Sequence, residues 1–267
     1  MTAPRAEIGV FGGSGFYRWL ADAESVAVET PYGPPSGPFA IATVGGRRIA
    51  FLPRHGVGHT VPAHAVNYRA NVHGMRQLGV RRLIGPSAVG SLRPDLHPGD
   101  LVICDQFVDR TRARADTFYP GPQVVHISAA DPYCPELRGL AARTAAERGI
   151  AHRDRGTIVV VQGPRFSTRA ESRWFARMGW DVVGMTQYPE VILARELEMC
   201  YLGLSLVTDY DVGVEGIPEV RAVQAQDVVH VLESNISRVR DLLTALIPAI
   251  PELPGCECQQ ALRLAHL

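Results

Sequence analysis

The chain has 267 residues, 46% of them hydrophobic, which is enough to bury a full core and lies at the upper edge of what one core supports, so a single domain is expected. Lys and Arg number 27 and so do Asp and Glu, and this balance removes the long-range attraction that nucleic acid or an anionic membrane surface would use. No stretch reaches the roughly 20 consecutive apolar residues that span a bilayer, and MTAPRAEIGV has no apolar run ahead of its first strand-like segment, so the expectation is a cytoplasmic protein without membrane span or signal peptide.

From the N-terminus, short β-rich runs alternate with helical stretches, the pattern of an α/β domain whose sheet is covered on both faces. Strands are expected over residues 8–11, 39–44 and 48–52, the last two joined as a hairpin by Gly45-Gly46. A helix over 66–78 leads to strands over 82–84 and 101–104, and then to a connection, 113–131, long enough to suggest a functional loop. A helix over 135–147, a strand over 157–161 and a helix over 169–178 follow; Thr168 and Glu171 make a capping box for that helix. Strands over 182–185 and 202–208 flank a helix over 189–199 with Pro189 in its first turn, and a long helix runs from about 223 to 246. Residues 1–250 are expected to form the domain and 251–267 a tail. Cys104, Cys134 and Cys200 read as packed, reduced thiols, while Cys256 and Cys258 form a C-x-C pair expected to be solvated; no metal site is expected, because no further Cys or His pair has ligand spacing.

The residues suited to chemistry sit where strands end. Gly12-Gly13-Ser14-Gly15 lets backbone N–H groups and a hydroxyl approach an anion, although a plain tight turn accounts for it equally well. In Pro53-Arg54-His55-Gly56 an Arg can fork onto phosphate oxygens beside a His, and Ser87-Ala88-Val89-Gly90-Ser91 offers hydroxyls and N–H groups beyond a buried strand. Phe166, in GPRFS, can stack on a flat base or simply join the core, and Arg165 can anchor that loop on an acidic neighbour. Met185-Thr186 places a soft apolar surface and a hydroxyl near a positive helix end, although Met185 taken on its own reads better as a core residue. Asp209 and Asp211 follow the apolar run LGLSLV; two acids buried there would raise at least one carboxyl pKa, although solvated loop acids account for the segment equally well.

Taken in order, IGVFGGSGFY, PRHGVGH, VNYRAN, GSLRPDLHPGDLVICDQFVDRT, DPYCP, GPRFSTRAES, GMTQYPEVILARE and VTDYD resemble the trimeric purine nucleoside phosphorylase family, in particular its methylthioadenosine phosphorylase branch, from about residue 8 to 246. The resemblance implies a mixed, distorted, barrel-like sheet flanked by helices, and a homotrimer. It implies phosphorolysis of S-methyl-5′-thioadenosine to adenine and 5-methylthioribose 1-phosphate, with inorganic phosphate as co-substrate and no cofactor. Phosphate would be held by Ser14, Arg54, His55, Ser87, Ala88 through its backbone, and Thr186. Met185 would face the ribose; Phe166, Ser167, Asp209 and Asp211 would surround the purine, with Asp209 as the catalytic acid; His126 would reach the 5′-substituent of a neighbouring subunit. Two positions depart from the branch: Gly184 replaces an Asn, and Val212-Gly213 follow Asp211 where Cys-Trp is common. A 6-oxopurine nucleoside or methylthioinosine is therefore the alternative substrate.

Overall fold

The computed structural model describes residues 6–12, 20, 22–217 and 225–266. In chain order its elements are β1 (Ile8–Gly12), β2 (Glu24–Val26), β3 (Phe39–Val44), β4 (Arg47–Pro53), α1 (Tyr68–Gln77), β5 (Arg82–Ser91), β6 (Leu101–Ile103), β7 (Gln106–Arg110), α2 (Pro135–Glu147), β8 (His152–Arg153), β9 (Thr157–Val161), α3 (Arg169–Arg177), β10 (Val182–Gly184), α4 (Gln187–Glu196), β11 (Cys200–Tyr210) and α5 (Ala225–Ala249). The strands form one mixed sheet ordered β2-β3-β4-β1-β5-β10-β9-β7, with a branch at β5, where β11 pairs and leads on to β6 and β8.

Central strands such as IGVFG in β1 are buried at every position, because helices cover both faces of the sheet. Alternate side chains divide between two cores. Phe11, Leu52, Leu83 and Tyr201 pack with Val72, Met75, Val191 and Leu193 of α1 and α4. Their neighbours Val10, Phe51, Ile84 and Leu202 pack with Leu137, Ala141, Leu242 and Leu246 of α2 and α5. Asn67 caps α1 by accepting from the Ala70 N–H, and Thr168 and Glu171 form the expected reciprocal capping box on α3. The expected hairpin is present: Val44 pairs Arg47 across Gly45 and Gly46, both at positive φ.

The branch strand β5 creates the site. Its first residues pair β1 in parallel, Ile8 with Arg82 through Val10 with Ile84, and its last pair β10 antiparallel, Gly90 with Val183 and Ser91 with Val182. Between them β5 loses its partner on that edge while β11 continues along the other. Ser87 and Ala88 therefore lie inside a strand ten residues long, not in a turn after a three-residue strand as expected. Pro86 is tolerated there because its missing N–H costs no ladder bond on an open edge.

The tail also differs from expectation. Most of it is exposed, but its C-x-C pair is not: Cys258 is buried, Cys256 packs against the α2/α5 core, and near the chain's end Val125 bridges His266. Short β2, β7 and β8 were not anticipated. None of the described helices is long and apolar enough to cross a membrane.

Candidate active site

The open edge of β5 is bordered by the carboxyl ends of β1, β4 and β10, the kind of partner switch where ligands of α/β sheets collect. Arg54 follows β4 and is only 3% exposed. Its Nε and Nη2 fork onto the Glu190 carboxylate, its Nη1 donates to Pro86 O at 3.0 Å, and its guanidinium lies over the Phe11 ring. Burial disfavours the charge, but the Glu190 carboxylate outweighs it and holds the Arg54 pKa above its ordinary value. Three of its five N–H groups are engaged, leaving two for another oxygen.

The bond from Arg54 also orients β5. Pro86 O faces the open edge, and Val89 O faces β11, where it accepts from Thr208 Oγ1 at 3.2 Å. By the two-residue period of a strand, the Ala88 N–H then points to the same open edge as Pro86 O. Ser87 Oγ accepts from Gln187 Nε2 at 3.2 Å, and Gln187, wholly buried, is itself fixed by Tyr133 Oη at 2.7 Å and Ser205 Oγ at 2.8 Å. Thr186 precedes α4, is 5% exposed, and its Oγ1 is a buried oxygen with no partner among the described residues. A donor left unpaired at a helix N-terminus suits an anion.

His55 stacks on His59, and its Nδ1 lies 2.9 Å from Val61 O. A carbonyl only accepts, so Nδ1 carries the proton and the neutral ring keeps a lone pair on Nε2. Burial first, then the charge of Arg54, push its pKa down to about 4. With Nδ1 engaged by Val61 O, Nε2 is the ring atom left to bond a ligand, and in the neutral ring it is an acceptor.

The other flank is formed by the segment 163–167 and the end of β11. A Cβ on Gly163 would lie 2.7 Å from Met185 Sδ, so only glycine lets that loop close on the methionine. Arg165 forks onto Glu171 at 2.7 Å through both terminal nitrogens, anchoring the loop that carries Phe166 and Ser167; Phe166 stays exposed. In β11 the register shifts between Val207 and Asp209, a bulge of the kind that re-aims side chains. Asp209 Oδ1 accepts from Thr208 Oγ1 at 2.7 Å, and a Cβ on Gly90 would lie 3.2 Å from Asp209 Oδ2 and 3.4 Å from Asp211 Cβ, so both acids flank the same glycine. Asp211 is 3% exposed and its Oδ2 has no partner among the described residues. Burial raises its pKa, against hydrogen bonds from Ser172 and Ser167. The expected upward shift is thus found on Asp211, and its cause is desolvation, not the neighbouring acid.

Of the two remaining expected residues only His126 is described, and it is not brought together with these. Ser14 lies outside the described residues. His126 is exposed, in a loop whose N–H donates to Ala265 O at 2.7 Å, and no purine-side residue is recorded against it. Three contributors were missed. Gln187 and Glu190 support Ser87 and Arg54 from α4; Arg114 donates to Met185 O at 2.9 Å, Tyr188 O at 2.6 Å and Gln162 O at 2.9 Å, tying β9 and β10 together at the site. Only the length of the 113–131 loop hinted at Arg114.

Two acids beside one glycine on one side offer acceptors to a polar ligand, and an open strand edge with an arginine and an unpaired hydroxyl on the other offers donors to an anion. The phosphorylase superfamily model matches residues 7–248, and the chain belongs to that family. More narrowly, it is 54% identical over 244 residues to the S-methyl-5′-thioadenosine phosphorylase of Mycolicibacterium smegmatis, covering 91% of each chain. It is 51% identical to the purine nucleoside phosphorylase of Streptomyces coelicolor, over 97% of this chain and 95% of that one. The crystal structure of a methylthioadenosine phosphorylase from an Antarctic soil metagenomic library superposes with a TM-score of 0.90 at 40% identity, over 98% of this chain and 92% of that one. The chain is an enzyme of the purine nucleoside phosphorylase type, a pentosyltransferase.

Proposed function

We propose that this enzyme phosphorolyses S-methyl-5′-thioadenosine, releasing adenine and 5-methylthioribose 1-phosphate. The observation that carries the reading is a pair of buried, unpartnered oxygens on the two flanks, the donor Thr186 Oγ1 and the carboxylate oxygen Asp211 Oδ2. Phosphate binds at the open edge of β5, to Arg54, Ser87, the Ala88 N–H, Thr186 and Ser14, with His55 accepting one phosphate proton. Met185 lies against the ribose. Phe166 and Ser167 close over the purine, whose 6-amino group donates to Asp211.

As the C1′–N9 bond lengthens, positive charge grows on the ribose and negative charge on the purine, as in other glycosyl transfers. A phosphate oxygen forms the new bond to C1′ while the N9 electron pair leaves into the base, and Asp209 gives its proton to N7. General acid catalysis of this kind contributes about 10²–10⁴ in rate. The step is an exchange of one C–N bond for one C–O bond and calls on no cofactor. The enzyme works as a cytoplasmic homotrimer, in which His126 of one copy faces the 5′-substituent held by the next.

Release of free base from methylthioadenosine, adenosine, methylthioinosine and inosine, each with and without phosphate, tests the reading. Phosphate-dependent release fastest from methylthioadenosine is the expected outcome. Release without phosphate would mean hydrolysis and overturn it. Preference for the inosines would favour the second reading, a 6-oxopurine or methylthioinosine phosphorylase, which Gly184 and the Streptomyces coelicolor relative support.

A further inference from the structure

Away from the open edge of β5, four of the five cysteines come together. Cys134 stands at the N-cap of α2, Cys200 opens β11, and the C-x-C pair of the tail folds back onto them. The four Sγ atoms all lie within 4.8 Å of one another; Cys256 Sγ is 3.4 Å from Cys200 Sγ and 3.6 Å from Cys134 Sγ. None of the cysteines is disulfide-bonded. Four sulfurs around a tetrahedral zinc with Zn–S bonds of about 2.3 Å are about 3.8 Å apart, which matches this spacing.

From this geometry we propose that Cys134, Cys200, Cys256 and Cys258 form a structural zinc site that staples the tail to the base of β11. The surroundings suit a tetrathiolate. Binding one Zn²⁺ releases the thiol protons and leaves two net negative charges, and Arg82, 3% exposed, places Nη1 3.3 Å from Cys200 Sγ to offset them. The Leu137 N–H donates to Cys134 Sγ at 3.5 Å, an N–H to sulfur bond of the kind that orients a metal thiolate. The loop is held in place by other bonds. Arg82 also donates to Pro251 O and to Glu136, each at 2.9 Å, and Glu136 accepts the Gly255 N–H at 2.9 Å, so the segment that leads into the C-x-C turn is anchored on β5 and α2. With all four positions taken by sulfur the ion has no open site, so its role is structural. Beyond the turn the chain reaches Ala265 and His266, which bond the 125–126 segment, so the staple also sets the loop that carries His126.

The test is metal and thiol stoichiometry on the full-length protein, purified under reductant without chelator and then passed into metal-free, reductant-free buffer. Mass spectrometry of the metal should give one zinc per chain, and denaturation in chelator should free all five thiols. In Cys256→Ser/Cys258→Ser the zinc should fall to none, and zinc-free wild-type protein should take up Co²⁺ with the visible absorption of tetrahedral cobalt thiolate. Fewer than five thiols after denaturation would mean disulfides, and five thiols with neither zinc nor cobalt uptake would mean a simple thiol cluster. Either result overturns the proposal, as does zinc that persists in the double variant. Because the wild-type stoichiometry decides by itself, a variant that fails to fold leaves the test intact.

Discussion

Glu190→Gln removes the charge that compensates Arg54 while keeping the side chain's shape. In the native chain the two side chains are 0% and 3% exposed, Glu190 accepts two bonds from the guanidinium, and its Oε2 accepts a further one from Tyr201 at 2.7 Å. A glutamine accepts through one oxygen only and turns its amide nitrogen toward an Arg54 N–H. Breaking a buried pair in this way costs about 3–5 kcal/mol, because the remaining charge stays buried without its partner. For a chain of this size each kcal/mol moves the melting temperature by about 2–4 °C, so a fall of about 6–20 °C is expected in phosphate-free buffer. If Arg54 faces phosphate, the dianion supplies the missing negative charge, and phosphate should raise the variant's melting temperature by more than it raises the wild type's. Thermal unfolding of both proteins across a phosphate series reads this difference, against about 2.7 kcal/mol of ordinary stabilisation at a hundred times Kd. Equal phosphate increments in the two proteins would refute the placement of Arg54 at the anion site.

Thr186→Val removes a hydroxyl with no partner in the free chain, so unfolding free energy should change by less than about 0.5 kcal/mol while KM for phosphate rises about 10- to 150-fold, the value of one hydrogen bond to a charged group. Asp209→Asn should lower kcat on methylthioadenosine about 10²–10⁴-fold with phosphate affinity unchanged, and equal activity would remove Asp209 from the chemistry. His55 has a folded pKa of about 4 against 6.5 unfolded, so between these values the unfolded chain binds the extra proton: its contribution is complete above about pH 6.5 and is lost as the pH falls through 4. That amounts to at most about 3 kcal/mol, and denaturation from pH 4 to 7 should show the slope in the wild type and not in His55→Asn. Gly184→Asn would place a Cβ 3.0 Å from Ile158 Cδ1 and 3.1 Å from Val89 Cγ1, so it should destabilise by about 1–3 kcal/mol, and Ile158→Val should recover part of that in a double-mutant cycle.

What the sequence made legible was local. The capping box of α3, the Gly45-Gly46 hairpin and the apolar run of β9 are each decided by a few adjacent residues, and each was found. The strand expected over 82–84 continues to Ser91 through Gly85, Pro86 and Gly90, each a response to a distant part of the chain. A Cβ on Gly85 would meet Tyr201 Oη at 2.1 Å, Pro86 sits on the unpaired edge, and Gly90 makes room for Asp209. The phosphate-side candidates were visible as motifs, but their supports were not: Gln187 reaches Ser87 across 100 residues and Glu190 reaches Arg54 across 136. The packing of the C-x-C pair was not legible for the same reason. Only the C-x-C spacing is local, and Cys134 and Cys200 join it through the packing of α2, β11 and the tail.

The partner switch on β5 explains why so many elements contribute one residue each. A fully paired strand has no N–H or C=O to offer, so an anion site on a sheet needs a place where the ladder stops without the strand ending. Here β11 supports β5 along its other edge, which keeps Ser87 and Ala88 in strand geometry while their open side faces Arg54. The same strand β11 carries its bulge and Asp209 at one end, with Asp211 just beyond it, and Cys200 at the other. The strand that stiffens the open edge of β5 therefore also leads into the two acids, and the separation between the two flanks is set by one continuous backbone. Loops alone would hold that distance less firmly, and a nucleoside bridging both flanks needs its C1′ held in line with the attacking phosphate.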